Sequence, residues 1–134
     1  PPRVLPTVGQ LLSQAAALRR KGSYAAAIKV YRRLRTTYPS STSAGTCLVL
    51  IGQIQLRNLG QATAALSSFG AYLRAHPSGG LAPEAAWGRV QALRRLGRKT
   101  AEIKACRTLL KRHPNSIYAR RARSRLKKLS GNSP

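Results

Sequence analysis

The sequence predicts an all-α solenoid of three helix-turn-helix repeats followed by a C-terminal capping helix. A glycine is followed 17 residues later by a proline three times, as Gly22 with Pro39, Gly60 with Pro77 and Gly97 with Pro114. Successive glycines lie 38 and then 37 residues apart, a period typical of stacked helical repeats. Apolar residues between these markers recur at helical spacing, and no stretch alternates as a strand would. We therefore expect no β-sheet.

The first hairpin shows how each repeat is built. Apolar residues recur at helical spacing from Leu11 to Leu18, and Gly22 ends this first helix. Ser23 is placed to cap the second helix, and Pro39 closes it. The sequence predicts one complete helical hairpin in this stretch.

The second and third hairpins follow the same plan, with turns at Gly60 and Gly97. Pro83 follows the glycine-containing loop at 78–80 and falls in a first helical turn, which proline favours. Asn115 is placed to cap a final amphipathic helix. Such a helix is expected after the last repeat, because that repeat otherwise exposes its stacking face.

These patterns predict one domain between two short tails. The predicted segments are a linker tail at 1–6, a single domain at 7–129 with repeats at about 7–39, 43–77 and 81–114 and a capping helix at 115–129, and a tail at 130–134. The chain begins with two prolines and no methionine, so we expect a processed or trimmed piece and leave open what precedes it.

The repeated residues resemble the tetratricopeptide repeat, which has glycine, an aromatic two residues on, alanine five on, an aromatic nine on and proline seventeen on. The first copy meets all five positions with Gly22, Tyr24, Ala27, Tyr31 and Pro39. The second copy meets four with Gly60, Ala65, Phe69 and Pro77, and the third keeps Gly97 and Pro114. The resemblance implies the solenoid fold and a role in binding other proteins.

The segments after the prolines are longer than usual for this family. Short sequence motifs such as residues 38–41 resemble its bacterial envelope branch. That branch includes periplasmic Tol-Pal accessory proteins and the lipoprotein partner of the outer-membrane β-barrel assembly machinery. Residues 81–126 also resemble repeats at the C-terminal end of some envelope anti-sigma regulators. The resemblance implies a bacterial periplasm, cell envelope or extracellular location, while a cytoplasmic one stays open.

The charge balance points to an acidic partner. Lys and Arg number 25 and Asp and Glu only 2, giving a formal net charge of +23. Such a balance is typical of chains that meet nucleic acid, an anionic membrane surface, an acidic polysaccharide or an acidic protein. No apolar run approaches the ~20 residues that span a bilayer, so no membrane span is expected in this chain.

The sequence offers little material for catalysis, and we expect a non-enzymatic protein without cofactor or metal. His76 and His113 each precede a repeat proline, where a helix C-terminus favours them. Glu84 falls in a first helical turn, and Glu102 is expected at the surface or its boundary, paired with Arg98. Histidine and cysteine do not fall at metal-ligand spacing.

Two cysteines are too few for a disulfide framework. Cys106 replaces the aromatic residue of the other repeats, and Cys47 lies in an apolar run. We expect both to be small buried core residues without a bond between them.

The resemblance implies a candidate binding surface, because the first helix of each tetratricopeptide hairpin lines a concave groove. Planar guanidinium groups repeated along such a groove suit carboxylate or phosphate. The candidate groove residues are Arg19, Arg20, Arg57, Asn58, Arg94 and Arg95, above a floor that includes Trp87 and Gln91.

The final helix carries a second basic cluster, a candidate polyanion patch of Arg120, Arg121, Arg123, Arg125, Lys127 and Lys128. Three functions stay open at this point. The first is an interaction module or scaffold that holds an acidic peptide or protein in the groove. The second is sequence-blind binding of nucleic acid or an acidic glycan, sensitive to salt. The third is head-to-tail self-association of solenoids into a filament.

Overall fold

The computed structural model of the protein describes residues 4–131, so the outer parts of both predicted tails lie outside the described residues. Within that range the chain forms seven α-helices and no strand, which confirms the predicted all-α repeat fold. In chain order the helices are α1 (Val8–Arg20), α2 (Tyr24–Thr37), α3 (Thr42–Arg57), α4 (Ala62–Ala75), α5 (Ala82–Arg95), α6 (Lys99–Arg112) and α7 (Ala119–Leu129).

The glycine of each glycine-proline pair makes the turn within a hairpin. Gly22, Gly60 and Gly97 have φ of 79°, 64° and 69°, the left-handed conformation that glycine adopts most easily. After α1, the Ser23 amide donates to the carbonyl of Leu18 at 2.9 Å. This bond satisfies a carbonyl that the end of the helix would otherwise leave open. The repeated glycines therefore mark the turns that end the first helix of each hairpin.

Consecutive helices pack against each other along the whole chain, and α3 also contacts α5. The centre of this packing is Phe69 on α4, which is 1% exposed. A methyl group added at Gly52 would lie 2.8 Å from its ring, and one added at Gly88 would lie 2.5 Å from it. The two glycines therefore let α3 and α5 both close onto the same aromatic ring.

The residue before each repeat proline ends a second helix, as the sequence predicted. Tyr38, His76 and His113 are the C-caps of α2, α4 and α6. The Tyr38 hydroxyl donates to the Pro6 carbonyl at 2.6 Å, which ties the segment before α1 to the first repeat. The His76 imidazole packs over Gly45, where an added methyl group would lie 2.8 Å from Nε2.

Two predicted caps are wrong. The Ser23 side chain makes no capping hydrogen bond to α2, and its backbone has φ −85° and ψ 66°, outside the extended conformation of a typical N-cap. The capping helix begins at Ala119 and not at 115, so Asn115 does not cap it. Two successive turns intervene, in which the Ser116 amide donates to His113 and the Ala119 amide to Ser116.

Candidate functional site

The six candidate groove residues lie at corresponding ends of the first helices. The chain reverses direction within each hairpin and again between hairpins, so α1, α3 and α5 run in the same direction and their last turns fall along one edge of the stack. Five of the six side chains are exposed and Arg19 is half-buried. We call this set the arginine ladder: Arg19, Arg20, Arg57, Asn58, Arg94 and Arg95.

Two members of the arginine ladder also contact the protein itself. Arg95 donates from Nη1 to the carbonyl of Leu56 at 2.8 Å, in the last turn of α3, and so links neighbouring repeats. Arg19 lies beside Tyr31. Burial raises the pKa of the Tyr31 hydroxyl, and the Arg19 guanidinium opposes that rise. Arg57 and Arg94 are exposed at the last turns of α3 and α5.

The predicted floor of the groove is covered at its C-terminal end. The rings of Trp87 and Tyr118 stack with their centroids 6.2 Å apart and their planes 14° apart. Leu126 of α7 packs against the same core cluster as Trp87. Trp87 thus lies under the capping helix, whereas Gln91, one turn further along α5, is half-buried.

The basic face of α7 is exposed except at one position. Arg125 donates to Glu102 on α6 through Nε at 2.5 Å and through Nη2 at 3.1 Å. The expected pairing of Glu102 with Arg98 is therefore wrong, and so is the expected surface position, because Glu102 is 2% exposed. The other five patch residues are exposed: Arg120, Arg121, Arg123, Lys127 and Lys128.

The sequence did carry a signal for this buried ion pair. Glu102 stands five residues after Gly97, where the other repeats have Ala27 and Ala65, and both alanines are fully buried. A carboxylate at a core position requires an internal partner, since an isolated buried charge costs several kcal/mol. Hydrogen bonding to Glu102 also raises the pKa of Arg125, so the guanidinium stays charged.

Almost no carboxylate is left to neutralise the surface. The sequence holds only Glu84 and Glu102, and Glu102 is paired inside the protein. Glu84 lies in the first turn of α5, at the opposite end of that helix from Arg94 and Arg95. The arginine ladder therefore carries cations that the chain's own acids do not balance.

Both cysteines are buried and unbonded, as predicted. Cys47 of α3 packs in the core that α1, α2 and α3 share, and Cys106 of α6 packs in the core of the third repeat. Burial raises the pKa of each thiol to about 11, so both are neutral at pH 7 and act as small core residues.

Residues 4–131 also bear on two other kinds of site. They contain no group of three histidine, cysteine or acidic residues arranged to hold a metal ion. No helix in this part of the chain is long and apolar enough to cross a membrane.

Comparison with known families finds a repeat family in this chain. Two models of the tetratricopeptide repeat match the chain, one over residues 11–41 and the other over residues 55–117. A comparison with curated proteins found no match. The first match covers the α1–α2 hairpin, and the second runs from the end of α3 through α6.

Proposed function

We propose that this chain, a tetratricopeptide repeat protein, is a non-enzymatic interaction module that binds an acidic segment of a protein partner along the arginine ladder. Tetratricopeptide repeats are typically scaffolds that bind other proteins. The observation that carries the proposal is the recurrence of exposed arginines at the last turn of each first helix, without carboxylates of the chain to balance them. Guanidinium groups bind carboxylates through two parallel hydrogen bonds.

The positions of the aromatic side chains favour an acidic peptide over nucleic acid. Single-stranded nucleic acid is commonly held by bases that stack on exposed aromatic rings. Tyr31, Phe69 and Tyr72 are buried in the repeat cores, and Trp87 stacks on Tyr118. Nucleic acid would therefore meet this protein mainly through its phosphates.

A second candidate function rests on α7, whose five exposed cations on one short helix would attract any polyanion. Sequence-blind binding of nucleic acid or an acidic glycan at this face is the alternative proposal. Head-to-tail association is less favoured, because α7 covers the stacking face of the third repeat. An envelope location rests on the long segments after the repeat prolines and stays part of the proposal.

Replacement of Arg19, Arg57 and Arg94 together by glutamine is expected to weaken binding of a labelled poly-glutamate peptide. Three charge contacts would be lost, two from exposed arginines and one from the half-buried Arg19, which should lower affinity by about tenfold or more. Fluorescence anisotropy at about 150 mM salt measures the change, since that salt screens exposed charges beyond roughly 8 Å.

The matched control removes the same charge from exposed arginines of the second helices, Arg32, Arg33 and Arg107. This control variant should lose less than about threefold in affinity, because no ordered contact is removed. Equal losses in the two variants would contradict the arginine ladder and leave net charge alone as the cause.

A further inference from the structure

A second groove, distinct from the predicted concave groove of the first helices, opens on the second-helix side of the solenoid between α4 and α6. We call this second one the groove. Both helices pack on α5, which forms the floor, and the groove has a volume of about 950 Å³. Its apolar lining comes from all three helices: Leu66, Leu73, Ala86, Leu93, Ala105 and Leu109. The groove lies apart from the arginine ladder, since it includes none of the ladder's residues.

Small side chains keep this groove open. Ser67 and Gly70 line it from α4, and Ala101 and Ala105 line it from α6. A methyl group added at Gly70 would meet only the mobile end of Arg74, at 3.2 Å from Nη1. The facing helices therefore leave space between them that longer side chains would fill.

The lining holds arginines but no carboxylate. Arg74, Arg89, Arg98 and Arg112 line the groove together with the half-buried His113. Neither of the chain's two glutamates is among the lining residues. A partner that fits this surface needs apolar side chains for the centre and carboxylates for the edges.

We propose that the groove binds a short acidic amphipathic helix, with leucine-like side chains against the floor and carboxylates facing the four arginines. On this wall the lining extends from Thr63, near the start of α4, to Pro77, two residues after its end. At 1.5 Å per residue this is about 20 Å, enough for a bound helix of about 14 residues. A helix whose apolar stripe enters a groove is a recurring mode of peptide recognition. The proposal adds a second binding surface and does not depend on the arginine ladder.

Two labelled peptides of about 14 residues test the proposal. One carries leucines at i, i+4 spacing on a glutamate background, and the other carries glutamates at all those positions. The groove predicts that the leucine-containing peptide binds the native chain roughly tenfold more tightly at moderate salt, because burying two leucines outweighs the lost charges. Equal affinity of the two peptides would overturn the proposal.

A variant that fills the groove locates the site. Ala101 is exposed and lines the groove, so Ala101→Trp blocks it without entering the core. This change should remove the roughly tenfold preference for the leucine-containing peptide and leave the glutamate peptide unaffected. Ser67→Trp, at an exposed position on the opposite wall, should have the same effect. It keeps the test decisive if Ala101→Trp folds poorly.

The matched control is Ala26→Trp. Ala26 is exposed and stands four residues after Gly22, as Ala101 stands four residues after Gly97, but it does not line the groove. It should keep the leucine preference. If Ala26→Trp and Ala101→Trp act alike, the groove is not the site.

Failure of the groove and failure of the arginine ladder give different results. Glutamine at Arg19, Arg57 and Arg94 should weaken the glutamate peptide while the leucine preference persists. If the triple glutamine variant lost the leucine preference while Ala101→Trp kept it, the groove proposal would be overturned and the arginine ladder would be supported.

Discussion

Replacement of Arg125 with alanine is expected to lower the free energy of unfolding by about 3 kcal/mol. Arg125 is the partner of Glu102, whose side chain is 2% exposed, and both guanidinium hydrogen bonds would be lost. The cost is placed at the low end for a buried pair because the Arg125 side chain keeps 20% of its exposure. Urea unfolding measures the change.

The same variant should loosen the capping helix. The chain has one tryptophan, and α7 covers it, so the emission of Trp87 should shift to longer wavelength before global unfolding. Arg123→Ala removes an exposed cation from the same helix and should change stability by less than about 0.5 kcal/mol.

A double variant separates the lost contact from the orphaned charge. Glu102→Ala combined with Arg125→Ala places at 102 the residue that the other two repeats have there. It should be more stable than Arg125→Ala alone, because no buried carboxylate remains without a partner. Equal stability of Arg125→Ala and Arg123→Ala would show that the ion pair does not hold α7.

Phe69→Ala is expected to cost about 3–5 kcal/mol, the range for removing a fully buried aromatic ring. The ring is 1% exposed and both Gly52 and Gly88 approach it closely, so its loss leaves a cavity where three helices meet. Helices cannot easily close this cavity, since their backbones already approach the ring as nearly as glycine allows.

Thermal unfolding followed by circular dichroism measures this change, with Phe69→Leu as the graded comparison. Leucine keeps most of the apolar volume and should recover at least half of the loss. A cost below about 1 kcal/mol for Phe69→Ala would contradict the view that this ring joins α3, α4 and α5.

The repeat fold was predictable because the residues that end its helices act locally. A glycine with positive φ ends each first helix, so Gly22, Gly60 and Gly97 mark the turns whatever the rest of the chain does. The cap at Ser23 was not predictable in this way. Its amide already serves the turn, and its backbone conformation keeps the hydroxyl from capping α2.

The buried ion pair and the groove depend on how helices meet. Spacing within α6 places Arg98 near Glu102, but the position of α7 decides that Arg125 lies closer. Likewise, Gly70 and Ala101 are unremarkable in sequence, and only the placement of α4 and α6 on α5 leaves a groove between them. Both features join different helices, and Arg125 stands 23 positions after Glu102, beyond the reach of helical periodicity.

The most direct test of an acidic protein partner is one titration of the purified chain at low and moderate salt with three ligands. The ligands are a poly-glutamate peptide, single-stranded nucleic acid and an acidic glycan of similar total charge. The arginine ladder predicts that peptide binding persists at moderate salt while binding of the two polymers falls steeply, as expected for sequence-blind attraction. Similar affinity for all three, lost together at the higher salt, would contradict the ladder and make the basic surface a general polyanion site.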